Sequence, residues 1–214
     1  GVHNFQTAAS GSADAAITYT TRMTINNSGS VGINEASPLG NLHVKSGESG
    51  ATVDGSANEL VVEGSGNSGI SILSGSSSGG QIYFGDSELN YDGYLAYSHA
   101  SRNMTLGTAG AGRLNINSAG NVGIGVTPEA SYAGRPTLRI GSGLAIGGYG
   151  SGNPSHHWIN ANAYQAASDA TEKYIGADQA SQLKQTNGAF TFNVAPNGNA
   201  DAAISWTTAM NIQN

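Results

Sequence analysis

Carboxylates and tyrosines crowd into one short stretch of the sequence, residues 85–94, which is written GDSELNYDGY. Cleavage of a glycoside needs two carboxyl groups about 5 to 10 Å apart across the scissile bond, and Asp86, Glu88 and Asp92 form the densest acidic cluster here, alongside Tyr91, Tyr94 and Tyr97. The same pattern is typical of an acidic, solvated loop between two strands whose tyrosines pack on the sheet. We favour that interpretation and predict no catalytic residue.

A second conspicuous group is His156-His157-Trp158. Adjacent residues of a strand point to opposite faces, so the two histidines are poorly placed to chelate one ion, whereas His156 and Trp158 share a face. In a trimer, one histidine from each chain could meet near the axis and bind a metal. An exposed loop or a buried, hydrogen-bonded imidazole accounts for the same residues, and we predict neither a metal nor a cofactor.

Sugar recognition is a third chemistry for this region, because aromatic faces stack on pyranose rings and asparagine side chains bond hydroxyl groups. The stretch from residue 149 to residue 164 is the richest part of the chain that does not repeat, and loops on a rigid scaffold often carry binding. The candidate receptor-binding residues are Tyr149, His156, His157, Trp158, Asn160 and Tyr164.

Composition excludes several other classes. The chain has no cysteine, so it offers neither a thiolate nucleophile nor a cysteine zinc site. With 8 basic and 14 acidic residues it lacks the charge of a nucleic-acid-binding surface. No apolar run approaches the length of a membrane span, and no signal-peptide pattern opens the sequence.

The chain is poor in the side chains that build a core. Leucine, isoleucine, valine and phenylalanine together make up 38 of 214 residues, and 32 residues are glycine. So little apolar surface does not readily offset the entropy of ordering the chain. Burial between identical subunits would supply what is missing, and we expect an oligomer.

Many of the apolar side chains belong to an element that occurs more than once in the sequence. RMTINNSGSVGIN at 22–34 and RLNINSAGNVGIG at 113–125 place apolar residues at matching sites, 91 residues apart. Each copy alternates apolar and polar residues on both sides of an Asn/Ser/Gly turn, which predicts a β-hairpin with one apolar face. A lone hairpin is marginally stable, so that face needs a partner.

A longer repeat extends the pattern. ADAAITYTTRMTINN at 13–27 and ADAAISWTTAMNIQN at 200–214 are 187 residues apart and identical at ten of fifteen positions. The first hairpin strand therefore occurs three times, at a period too long for a solenoid. We predict a partial N-terminal β-module at 1–48, a full β-module at 49–140 and a C-terminal β-module, ending mid-repeat, at 141–214, with boundaries near the Gly/Ser-rich stretches 46–58, 64–80 and 141–153.

Strands between these stretches follow from alternation and turn signals. The predicted strands are 42–45, 59–63, 69–73, 81–84, 94–99, 103–107, 138–140, 173–176, 181–185 and 189–194. A helix over Tyr164–Lys173 is a minor alternative by propensity, because its apolar spacing is poor.

These segments resemble the repeating shaft and tip modules of tailed-bacteriophage tail fibres, in particular fibres whose precursors end in a self-cleaving chaperone of the endosialidase type. The resemblance rests on MTINNSGSVGIN, LHVKSG, GISILSG, RLNINSAGNVGIG and TNGAFTFNVAPNGNADAAISWTTAMNIQN, and covers residues 4–214. The chaperone sequence itself does not occur in these residues.

The resemblance implies a virion structural protein without a shared catalytic residue. Its partners would be two identical chains, other virion tail proteins and a polysaccharide or protein receptor on the host surface, with no nucleic acid and no membrane. We therefore expect an all-β, elongated array of small β-modules and hairpins, intertwined as a homotrimer and acting in host attachment. Two alternatives stay open: a polysaccharide depolymerase of a tail spike, and a non-viral extracellular filament or adhesin subunit.

Overall fold

The computed structural model describes residues 1–129, 136–148, 156–166 and 171–213, and all regular structure in these ranges is β-strand. The all-β class expected from the sequence is confirmed. Contacts divide the chain into two compact units, Gly1–Ser71 and Ile72–Asn214. Within the described ranges, no helix has the length and hydropathy that a membrane span requires.

Unit 1 is a five-stranded sheet in chain order. Strands β1 to β3 pair antiparallel, and β3, β4 and β5 pair parallel. The strands are β1 His3–Ala8, β2 Tyr19–Ile25, β3 Val31–Ile33, β4 Leu42–Lys45 and β5 Leu60–Glu63.

Unit 2 is built on one eleven-stranded sheet, in which β10 and β11 form a parallel pair and the other neighbours are antiparallel. The sheet order is β18-β17-β16-β13-β12-β11-β10-β9-β8-β7-β6. Its strands are β6 Gly79–Phe84, β7 Gly93–Ser98, β8 Asn103–Thr108, β9 Ala111–Ile116, β10 Val122–Ile124, β11 Thr137–Ile140, β12 Leu144–Gly148, β13 His156–Ala161, β16 Asp178–Thr186, β17 Ala189–Gly198 and β18 Thr207–Ile212. A separate two-stranded sheet consists of β14 Ala163–Gln165 and β15 Glu172–Tyr174.

The repeated hairpin forms in both predicted places. Its first strand pairs antiparallel with its second, in the same register in each copy. The facing residues are Met23 and Ile33, Ile25 and Val31, Leu114 and Ile124, and Ile116 and Val122.

The hairpin turn is held by its first asparagine. Asn26 Oδ1 accepts the backbone N–H groups of Ser28 and Ser30 at 2.9 and 3.0 Å, and Asn117 does the same in the second copy. A glycine with φ of 87° in the first copy and 81° in the second completes each turn, because only glycine takes that conformation readily. The repeated sequence therefore encodes a repeated turn.

Nine of the ten predicted strands overlap observed strands, and the strand predicted at 69–73 is wrong. Those residues pair with no described strand. The segments on both sides are rich in glycine and serine and lack the alternating apolar residues that a partner strand would have. The ends of the alternative helix, at Tyr164 and Lys173, lie in β14 and β15, and residues 167–170 fall outside the described ranges. The module boundary proposed after residue 140 falls between β11 and β12, which pair in one sheet.

Candidate functional site

Strand β13 separates the predicted receptor residues onto two faces. His156, Trp158 and Asn160 alternate with His157 and Ile159, so the histidines point to opposite faces, as the sequence predicts. His157 is exposed, whereas Trp158 and Asn160 are buried. Tyr149 lies outside the described residues.

Trp158 is only 6% exposed. Its indole lies against the backbone of Gly147 on β12, where an added Cβ would come within 2.6 Å of the ring. Beside it is a small cavity whose lining includes Arg139, Glu129 and Tyr164. In this chain the tryptophan packs against the sheet, whereas His157 is exposed and His156 is half-buried.

Asn160 begins a buried ladder of polar side chains that sequence reasoning missed. Gln182 donates to Asn160 at 3.0 Å, Asn193 donates to Gln182 at 2.9 Å, and Thr208 donates to Asn193 at 3.0 Å. Gln182 also donates to Glu172 of β15 at 2.8 Å. These hydrogen bonds link four neighbouring strands, β13, β16, β17 and β18, while Asn160 Nδ2 makes no hydrogen bond among the described residues. The signal in the sequence is the polar residue at alternate positions of β13, β16 and β17.

Tyr164 connects the β14–β15 hairpin to the loop before β18. Its hydroxyl donates to Asp201 Oδ1 at 2.7 Å. Burial, followed by the hydrogen bond to the Asp201 carboxylate, raises the pKa of Tyr164. The side chain is therefore held as a neutral donor, in a structural contact.

The acidic cluster after β6 acts within its own turn. Asp86 Oδ1 accepts the backbone N–H groups of Glu88 and Leu89 at 2.8 and 2.9 Å. The bond from Leu89, followed by that from Glu88, lowers the pKa of Asp86. This carboxylate caps a turn, and the absence of catalysis stays a prediction.

Unit 1 contains a buried charge cluster that the sequence reasoning also missed. His43 Nε2 lies 3.0 Å from Glu63 Oε2, and both side chains are buried. Glu63 Oε1 accepts the N–H and hydroxyl of Ser49 at 2.8 and 2.6 Å, and these bonds, hydroxyl first, lower the pKa of Glu63. Lys45 bonds Glu35 at 2.5 Å. The described residues hold no group of three or more side chains that could bind a metal ion.

The most extensive surface feature is the apolar face of the unit 2 sheet. One row of cross-strand neighbours runs from β18 to β7, and none of its side chains is buried. The row comprises Met210, Phe192, Leu183, Ile159, Ile146, Leu138, Val122, Ile116, Met104 and Tyr97. A parallel row from β6 to β12 comprises Ile82, Leu95, Leu106, Leu114, Ile124, Ile140 and Leu144.

The opposite face of the sheet is covered from β17 to β10. A row from β17 to β10 is buried throughout and consists of Asn193, Gln182, Asn160, Ala145, Arg139 and Gly123. Unit 1 repeats this arrangement, with Thr24, Gly32 and His43 buried, and with Met23, Ile33, Val44 and Val62 on the face left open. Both sheets therefore carry a face whose large apolar side chains are exposed or half-buried among the described residues.

Compared with known proteins, the chain matches no family model and no curated protein sequence. The repeats and these two faces are the features of the molecule that bear on its function.

Proposed function

We propose that this protein is a structural segment of a bacteriophage tail fibre, assembled as a homotrimer and acting in adhesion to the host surface. The observation that carries the proposal is the pair of open apolar faces, since both sheets bury polar rows and expose apolar ones. Contiguous apolar surface of this extent marks an interface between proteins. The choice of three copies, and of a virion as the setting, comes from the resemblance of the repeats to tail-fibre modules.

The repeats fit a structural role because they carry turn and packing residues. In the hairpin copies, the side chains that recur are the first arginine, the turn asparagine and the apolar residues of the two strands. Repetition of such parts lengthens a scaffold and adds no catalytic group. Receptor recognition then falls to exposed, non-repeated residues such as His157.

Electron microscopy of the source particles with a labelled antibody against this chain tests the proposal. We expect label on the tail fibres of virions. Label on cell-surface filaments, with virions unlabelled, would favour an extracellular filament subunit instead. Release of reducing ends from host polysaccharide by the purified chain, abolished by changing Asp86, Glu88 and Asp92 to their amides, would favour a depolymerase.

A further inference from the structure

The first and third repeats have the same local structure. Facing residues Phe5 and Met23 correspond to Phe192 and Met210, and each strand pair has its irregularity directly after the phenylalanine. Asp14 and Asp201 take φ of 61° and 63°. The loop between the strands is therefore formed in both repeats.

In the third repeat, strand β15 forms backbone hydrogen bonds with this loop. The N–H of Tyr174 donates to Ala202 O at 3.1 Å, and Tyr174 O accepts the N–H of Asp201 at 2.9 Å. The N–H of Ile204 donates to Glu172 O at 2.8 Å. Ile204 and Trp206 are partly buried against an apolar cluster that consists of Ala163, Tyr174, Ala180 and Ala195. The indole N–H of Trp206 donates to the Glu172 carboxylate.

The Tyr174 side chain of β15 makes two specific contacts with the strand before this loop. The Tyr174 hydroxyl donates to Pro196 O at 2.7 Å. Its ring covers Gly198 so closely that an added Cβ there would lie 2.1 Å from the ring. Only a glycine leaves room for this contact.

In the first repeat, no described aromatic ring covers the corresponding glycine, Gly11. A Cβ added to Gly11, the counterpart of Gly198, would meet a single neighbour, Ala15 Cβ at 3.8 Å. Ile17 and Tyr19, the counterparts of Ile204 and Trp206, are 65% and 59% exposed. Among the described residues no backbone group bonds the N–H of Asp14 or Ile17. A surface concavity of about 480 Å³ follows residues 8–12 and 14–18.

We propose that the loop between β1 and β2 is a docking site for a Glu-x-Tyr strand of the β15 type, supplied by another module of the same kind. The tyrosine ring lies on Gly11 and its hydroxyl donates to the carbonyl of Ala9. Backbone carbonyl groups of the strand accept hydrogen bonds from the N–H groups of Asp14 and Ile17. Apolar atoms of the strand contact the Ile17 side chain. This is strand addition to preformed backbone groups.

The test joins residues 171–178, TEKYIGAD, to the N-terminus of the full chain through a Gly/Ser linker of about 16 residues, which spans roughly 20 Å. Tethering raises the effective concentration of the strand to the millimolar range. Amide hydrogen exchange by NMR is the readout, because it reports the backbone bonds directly. We expect exchange at Asp14 and Ile17 to slow by about tenfold or more.

Two variants make the result specific. A tag carrying Tyr174→Ala should give no slowing, because the ring contact is lost. Gly11→Val should also abolish the slowing, while the untagged variant keeps the unfolding temperature of the parent because the space above Gly11 is open. Unchanged exchange at Asp14 and Ile17 with the intact tag would overturn the proposal, and so would slowing that persists with either change. Neither outcome depends on adhesion or on trimer formation.

Discussion

Among single residues, Trp158 has a receptor assignment that stays a prediction and a side chain that is buried. The sequence suggests a receptor contact whose loss would weaken adhesion and leave stability unchanged, but the indole is packed on Gly147. We expect Trp158→Ala to destabilise the protein by about 3–5 kcal/mol, the usual cost of truncating a buried tryptophan. Thermal unfolding measures the effect, and His157→Ala, on the exposed face of the same strand, is the control. A variant with the parent's unfolding temperature and weaker adhesion would restore the receptor assignment.

Glu63 is one of the residues through which acid should weaken unit 1. Its pKa is lowered from 4.5, mainly by the bonds from Ser49. A carboxylate with a lowered folded-state pKa contributes stability above its unfolded value, and that contribution is lost as the pH falls through the folded pKa. We expect stability to decline below about pH 4.5 and Glu63→Gln to reduce that slope, measured by urea unfolding across pH. Glu59→Gln, at an exposed position beside the same strand, should leave the slope unchanged; an equal reduction there would contradict the assignment.

At the scale of elements, the middle glycine of each Val-Gly-Ile strand allows the following loop to fold back over the strand. A Cβ on Gly123 would lie 2.2 Å from the carbonyl oxygen of Val126, and one on Gly32 would lie 2.0 Å from that of Glu35. We expect Gly123→Ala to cost about 1–3 kcal/mol through this overlap. Gly143→Ala, where a Cβ meets nothing within 4 Å, is the matched control. Equal urea midpoints for the two variants would show that the close approach is not a constraint.

The hairpins could be predicted from the sequence because their information is local. An asparagine that bonds the turn, a glycine with positive φ and alternating apolar residues fix the register of Met23 against Ile33 without help from distant segments. Segment 69–73 shows the limit, since its alternation is real but no neighbouring strand pairs with it.

The candidate site was less predictable because it depends on distant contacts. Burial of Asn160 depends on Gln182, 22 residues away, and Trp158 packs on a strand that precedes its own. Alternation in β13 places the two on one face, but alternation alone does not say which face is covered.

At the scale of the whole molecule, the composition and the open faces lead to the same conclusion. A chain with few large apolar side chains leaves most of them on sheet faces that no described residue of the same unit covers. Such a distribution is costly for a monomer and favourable for an obligate oligomer, in which the rows of one copy cover those of another.

The central claim is tested most directly by the mass of the purified protein in solution, measured by sedimentation at micromolar concentration. We expect a species of three chains of 21.6 kDa each. Ile124→Glu, in the middle of the unit 2 apolar face, should shift the protein toward monomer or prevent folding, whereas Leu73→Glu, in a loop outside the sheet, should leave the mass unchanged. A stable, folded monomer of the parent chain at that concentration would contradict the account.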